Sequence, residues 1–427
     1  MVTTDSGPSG ARVVARCDHL GGGRFSDSTT GLYRPYLGPA HRAAIDTVAG
    51  WMTAAGMTTR IDAAANLIGR FEGRRPGLPC LMIGSHLDSV TDAGRYDGPL
   101  GVMLGIDCVA TLAARPGERL PFAVEVIAFG DEEGSRFPAS MLCSRAVAGT
   151  LDPAATAMTG RDGVTLAAAL AGFGRSVERL GDAAYAAGAV VVYLEAHIEQ
   201  GPVLEAEDRA IGVVTGIAAQ KRYDVTLHGR AGHAGTTSMP LRRDALVAAA
   251  EVVLAVERIA AAAAKRDAGV VATVGRLTVA PGATNVIPGR VDFTVDVRAG
   301  SDGVRDEVAA SILAAVDAVA AARGIGLSVV ETQALPASPC DPALTELLAA
   351  AAAAVTQHPA RRLVSGAGHD AMVMAALAPT AMLFVRCAGG VSHNPAESVD
   401  PADVAVALAA MLAFVDTLAS VWNQGQA

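Results

Sequence analysis

The chain has 427 residues, 51% hydrophobic and 18% charged, which is more core material than one domain normally holds, so two domains are expected. A net charge of −9 with no Lys/Arg-rich run excludes the electrostatic footprint of a nucleic-acid binder. The opening MVTTDSGPSGARVVARCDHL lacks the zones of a signal peptide, no apolar run is expected to span a bilayer, and Cys17, Cys80, Cys108, Cys143, Cys340 and Cys387 form neither a CxxC pair nor a dense framework; a reducing, cytoplasmic setting with no membrane partner is expected.

In chain order, the first half alternates a helix over 41–55, a strand over 81–85, a helix over 100–113 and a strand over 123–129. That order predicts a mostly parallel sheet with helices on both faces. Near Val214 the style changes: RYDVTLHG alternates like a half-exposed strand, followed by a long helix over 246–264, a strand pair around 271–277 and 291–298, and another helix. After about residue 330 the first style returns, with helices near 342–355 and 401–418 flanking a strand over 381–385. No repeat of 20 to 50 residues is visible. The expected architecture is α/β: a domain of residues 1–213 and 330–427, with a mixed, mostly parallel sheet flanked by helices, interrupted by an inserted α+β domain over 214–329.

Chemistry-bearing side chains collect where these strands end. The strand over 81–85 runs into His86 and Asp88, placing an imidazole where open α/β sheets hold their ligands and a carboxylate two residues on to orient it. Asp97 follows in GRYDGPLGV, bracketed by glycines before a helix, a location suited to a carboxylate shared by two cations; a lone Asp there is most often a helix cap. The strand over 123–129 ends in Asp131, Glu132 and Glu133, acids that repel one another unless water or cations relieve them. A third strand over 190–196 ends at His197 and runs into Gln200, and His393 stands in the loop GGVSHNPAE after the strand over 381–385. Any one of these is ordinary loop polarity. Jointly, two carboxylates and three imidazoles form the N/O donor set that suits zinc and its neighbours, with open positions for water.

The runs GSHLDSV, GRYDGPLGV, DEEGSRFP, YLEAHIEQGPVLE, GRAGHAGTTSMP, TNVIPG, SGAGHDA and GVSHNPAE, in order from about Gly21 to Leu418, resemble the hydantoinase/carbamoylase family of dinuclear metal amidohydrolases. That family includes N-carbamoyl-L-amino acid hydrolases, allantoate amidohydrolases and β-ureidopropionases, within the zinc peptidase and aminoacylase superfamily. EQGPVLE with GRAGHAGTT is specific to its ureido-cleaving branch. The resemblance implies a catalytic domain with an inserted lid and dimerisation domain, and two divalent metal ions per subunit: zinc first, with manganese, cobalt or nickel as alternatives. Carried across position by position, it implies that His86, Asp97 and His197 hold one metal and Asp97, Glu133 and His393 the other, with Glu132 as general base and Asp88 as the residue that orients the ligands. It further implies that His233 and Asn285 contact the substrate's carbonyl side, that Arg298 binds its carboxylate and that Gln200 lines the pocket. The implied partners are a small-molecule ureido carboxylate and a second copy of the chain, joined through the inserted domain. One departure is Ala65 in DAAANLIG, where such relatives carry glycine.

The implied reaction is hydrolysis of a carbamoyl C–N bond with release of ammonia and carbon dioxide. A metallo-exopeptidase or N-acyl amino acid hydrolase would share the centre; Gln200 with GPVLE weighs against it. A non-catalytic metal-binding protein is opposed by the full ligand set plus Glu132. Without the resemblance, Arg298 reads as a strand arginine paired with Asp296, and His233 as a loop histidine. His19, His41, His228 and His358 read as structural or surface residues, and His369 as a pocket-loop residue. The choice between allantoate and a carbamoyl amino acid, and the physiological metal, stay open at this point.

Overall fold

Cys80–His86 (β1) and Ala123–Phe129 (β2) are unbroken runs of buried residues, the pattern of strands covered on both faces. In the computed structural model, which describes residues 8–425 apart from 118 and 268, they pair in parallel with His86 opposite Phe129. Val190–Ile198 (β3) lies parallel to β1 on its other side, and Thr380–Val385 (β4) lies parallel to β3 with Phe384 opposite His197. The sheet is mixed: these four central strands are parallel, and antiparallel strands flank them, Leu67–Phe71 against β2 and Ile211–Ile217 against β4. Parallel pairing aligns the carboxyl ends of β1 to β4 along one sheet edge, which collects the loops that follow them.

The chain divides into two compact units, one of Met1–Thr215, Cys340–Leu363 and His369–Ala427, the other of Gly216–Pro339 and Val364–Gly368. In the first, the helix Pro99–Ala114 begins with proline at its first turn and is buried nearly all round, because it packs on β1, β2 and β3 beneath further helices. Pro401–Asn423 departs from the expectation for apolar runs: it is long and apolar enough to cross a membrane, with a mean hydropathy of 2.2. It packs instead on the helices Gly10–His19, Pro99–Ala114 and Pro342–Thr356, so its apolar stripe belongs to a core. Ala65 has φ 59°, the left-handed region that glycine enters without penalty, a physical reason for the glycine that the resemblance leads one to expect there.

The second unit is an antiparallel sheet in the order Leu277–Ala280, Arg290–Ala299, Ala219–His228, Gly326–Leu335, with Val271–Thr273 also paired to Arg290–Ala299. Its central strand alternates strictly, burying Val291, Phe293, Val295 and Val297 against Ala245–Ala264 and Asp302–Arg323 on one face. Among the described residues, the intervening positions of that strand are exposed or only partly buried, as period-two patterning requires. The single strand expected around 271–277 is two short ones.

Candidate metal centre

His86 is the last residue of β1 and His197 the last but one of β3, so both rings rise from the sheet's carboxyl edge. Their Nδ1 atoms face carbonyl oxygens, that of Asp88 at 3.2 Å and that of Ile198 at 3.0 Å. Each ring therefore donates from Nδ1 and turns a lone pair on Nε2 inward. The two Nε2 atoms lie 3.5 Å apart, and Asp97 Oδ1 is 3.6 Å from one and 3.2 Å from the other. Two lone pairs and a carboxylate oxygen converging in a buried space require positive charge among them, from a proton or a cation.

Asp97 comes from a tight loop. Gly98, at φ 84°, leads into the helix Pro99–Ala114, and a methyl group there would collide with the His86 ring. The backbone amides of Tyr96 and Asp97 donate to Glu397 Oε1 at 2.7 and 3.1 Å. The other carboxylate oxygen, Oδ2, faces away from the first pair of imidazoles and meets His393 Nε2 at 3.1 Å; Ser392 Oγ and Gln200 Nε2 each donate to it at 3.1 Å. Gln200 Nε2 also reaches Ser392 Oγ at 3.0 Å.

Beyond the end of β2, the amides of Glu132 and Glu133 donate to the two oxygens of Asp88 at 3.0 and 3.1 Å, and Asp88 Oδ1 lies 3.4 Å from His86 Nδ1. One buried carboxylate thus aligns the acidic turn and the first imidazole together. Glu133 Oε1 is 3.6 Å from His393 Nε2. Among the described residues, ligand atoms of three sets lie within 4.8 Å of one another: His86, Asp97 and His197; His86, Glu132 and Glu133; Asp97, Glu133 and His393.

The electrostatics follow from this crowding. Burial alone would depress His86, but its contacts with Asp88 and Asp97 outweigh that and hold it well above the ordinary imidazole value. Burial would raise Asp97, yet His197, His393 and His86 hold it well below the usual carboxylate range. Burial, helped by neighbouring acids, pushes Glu132 well up and Glu133 to about 7. His393 is raised to about 9, chiefly by its hydrogen bond to Asp97. A field this negative attracts divalent cations, and the donors fit them: imidazole nitrogens with their second nitrogens committed, and carboxylates each with an oxygen turned inward.

The profile of peptidase family M20/M25/M40 matches residues 82–417. The chain belongs to that family. A relative described as a probable allantoate deiminase, from Oryza sativa subsp. japonica, is 43% identical over 95% of this chain and 87% of its own. An N-carbamoyl-L-amino acid amidohydrolase from Geobacillus stearothermophilus is 42% identical over 88% of this chain and 90% of its own. Among solved structures, a hydantoinase/carbamoylase-family amidase from Burkholderia multivorans superposes with a TM-score of 0.86, at 34% identity over 95% of this chain and 97% of that one.

Of the site residues expected from sequence, this M20 chain brings His86, Asp88, Asp97, Glu132, Glu133, His197, Gln200 and His393 together in its first unit. His233, Asn285 and Arg298 belong to the second. There His233 lies in a two-stranded ribbon opposite Val286, and the Ala234 amide donates to the Asn285 carbonyl at 2.9 Å, so this pair is adjacent. Arg298 sets its fork on Asp296, at 2.9 and 3.1 Å, and also bonds the Gly366 carbonyl. Sequence reasoning passed over Ser392 and Glu397, although both lie in the quoted run GVSHNPAE; the signal was a carboxylate four residues beyond a candidate ligand in a short Gly/Pro loop. His369 packs its buried ring 4.5 Å from that of His197, and burial with His197 keeps it well below the ordinary value, hence neutral.

Proposed function

We propose that the chain is a two-cation amidohydrolase that cleaves the carbamoyl C–N bond of a small ureido carboxylate, an N-carbamoyl-L-amino acid or allantoate, with release of ammonia and carbon dioxide. The observation that carries this reading is the division of Asp97, with Oδ1 facing His86 and His197 and Oδ2 facing His393. A carboxylate so placed is built to be shared. His86, Asp97 and His197 would hold one cation and Asp97, Glu133 and His393 the other, zinc first, with manganese, cobalt or nickel as alternatives. Such a pair, when bound, lowers the pKa of water toward neutrality and polarises the ureido carbonyl.

The chain's own groups do the rest. Glu132 is buried beside Glu133 and His86, and burial raises its affinity for a proton; it takes the proton of the attacking water on a carboxylate oxygen and returns it to the departing nitrogen. The nitrogen leaves as a neutral amine, and the carbamate left behind falls into ammonia and carbon dioxide. Asp88 keeps Glu132 in place through its backbone amide. In the second unit, the adjacent His233 and Asn285 are proposed to donate to the developing oxyanion, and Arg298 to hold the substrate carboxylate with the planar fork that Asp296 now occupies. A homodimer through that unit is part of the reading, supported by the exposed Met239, Leu241, Leu254 and Val330 on it.

The test is ammonia release by the zinc-, manganese- or cobalt-loaded protein from a panel of N-carbamoyl-L-amino acids and from allantoate. Amino acid liberated from dipeptides or N-acetyl amino acids, with no ammonia from any ureido compound, would overturn the proposal in favour of a peptidase or acylase.

A further inference from the structure

We propose that Glu397 is the positioning residue for the bridging carboxylate, tying the loop of His393 to the loop of Asp97 so that the two cation sites are built as one unit. The inference rests on the two-cation reading above. Asp97 serves two sites only if its carboxyl group stands edge-on between them, and that orientation must be set through the backbone as well as the side chain. Glu397 supplies the backbone part: its buried Oε1 accepts the consecutive amides of Tyr96 and Asp97 at 2.7 and 3.1 Å. Ser392, five residues earlier in the same loop, supplies the side-chain part by donating to Asp97 Oδ2 at 3.1 Å. Between them stands His393, 3.1 Å from that same oxygen.

The opposing loop is shaped to receive this clamp. A methyl group at Gly94 would collide with the Glu397 carboxyl, as one at Gly98 would with the His86 ring, so the Asp97 loop is wedged between a carboxylate and an imidazole with glycine at each contact. Glu397 Oε2 is buried without a hydrogen-bond partner among the described residues. Burying half a carboxylate unpaired is costly for mere loop closure, which water or a smaller acceptor could serve. Groups that orient metal ligands from behind typically weaken metal binding about 10- to 100-fold when removed.

The experiment titrates zinc by calorimetry into cation-free wild type, Glu397→Ala, Glu397→Gln and Gly94→Ala, and follows the melting of each with and without zinc. Wild type is expected to take two zinc ions. Glu397→Ala is expected to bind them about 10- to 100-fold more weakly while melting near wild type when cation-free. Glu397→Gln, which keeps an acceptor oxygen for both amides, is expected to restore binding to within a few-fold, and Gly94→Ala, which displaces an intact Glu397, to reproduce the loss. Wild-type zinc affinity in Glu397→Ala, an equal fall in melting temperature with and without zinc, or a Gln variant as weak as Ala would overturn the inference. Should Glu397→Ala not fold, Gly94→Ala decides, and wild-type affinity there is equally fatal. A wild type that binds no divalent cation sinks the proposed function too, whereas two ions in wild type and two equally tight in Glu397→Ala sink this inference alone.

Discussion

A base is separable from a ligand when its removal spares the metal. Glu132→Gln keeps the shape of the acidic turn and the amide that Asp88 accepts, so it is expected to retain two cations by elemental analysis and to lose at least about 100-fold in turnover; unchanged turnover would remove Glu132 from its role. Asp88→Ala frees the amides of Glu132 and Glu133 and removes the carboxylate beside His86, whose Nδ1 keeps only the backbone carbonyl, and should weaken cation binding by about 10- to 100-fold in a calorimetric titration. A different residue sets a pH response. His41 is buried beside Tyr36 and stacked on Phe173, with Nδ1 accepting from the Leu37 amide; burial and the neighbouring Arg34 and Arg42 guanidiniums hold it down at about 3. Because its folded value lies below the unfolded one, its contribution to stability is present above about pH 6.5 and is lost as pH falls toward about 3. Denaturant melts at pH 7 and pH 4.5 should therefore differ less in His41→Gln than in wild type.

Elements place these residues, and the element most exposed to a single change is the turn into Pro99–Ala114. Gly98→Ala puts a methyl group into left-handed backbone and against His86, and should cost about 1–3 kcal/mol together with most of the bound metal. In the second unit Phe293 is 1% exposed, and Phe293→Ala should cost about 3–5 kcal/mol in a denaturant melt without altering metal content. The elements were largely legible in the sequence. The strand over 123–129 stands where its apolar run begins and ends, and β1 and β4 exceed their expected bounds by only a residue or two, because strands buried on both faces are written as continuous hydrophobic stretches. β3 reaches Ile198 instead of Ala196, so His197 lies inside the pairing; a histidine is polar by composition, and only the parallel partner Phe384 shows that its backbone continues the sheet. Pro401–Asn423 shows the converse: hydropathy alone makes it a candidate to cross a membrane, and only its packing on three helices reveals why it is apolar.

For the whole molecule, cation binding and folding should be linked. A free cation about a thousandfold above its dissociation constant stabilises the folded state by about 4 kcal/mol, so chelation is expected to lower the melting temperature by several degrees and abolish turnover, with both restored by added zinc or manganese. No fall in melting temperature on exhaustive chelation would argue against a resident metal. The sequence by itself determined the donor set: residue types and their places at strand ends are local properties, written in runs such as GSHLDSV and GVSHNPAE that can be read one at a time. It also determined that four strands would deliver them, since hydrophobic periodicity is local too. Only the tertiary structure decided which oxygen of Asp97 faces which imidazole and that Glu397 holds the backbone behind it. Those facts depend on groups distant in sequence meeting within hydrogen-bond range, and a range of about 3 Å is set by the packing of the whole chain rather than by any segment of it.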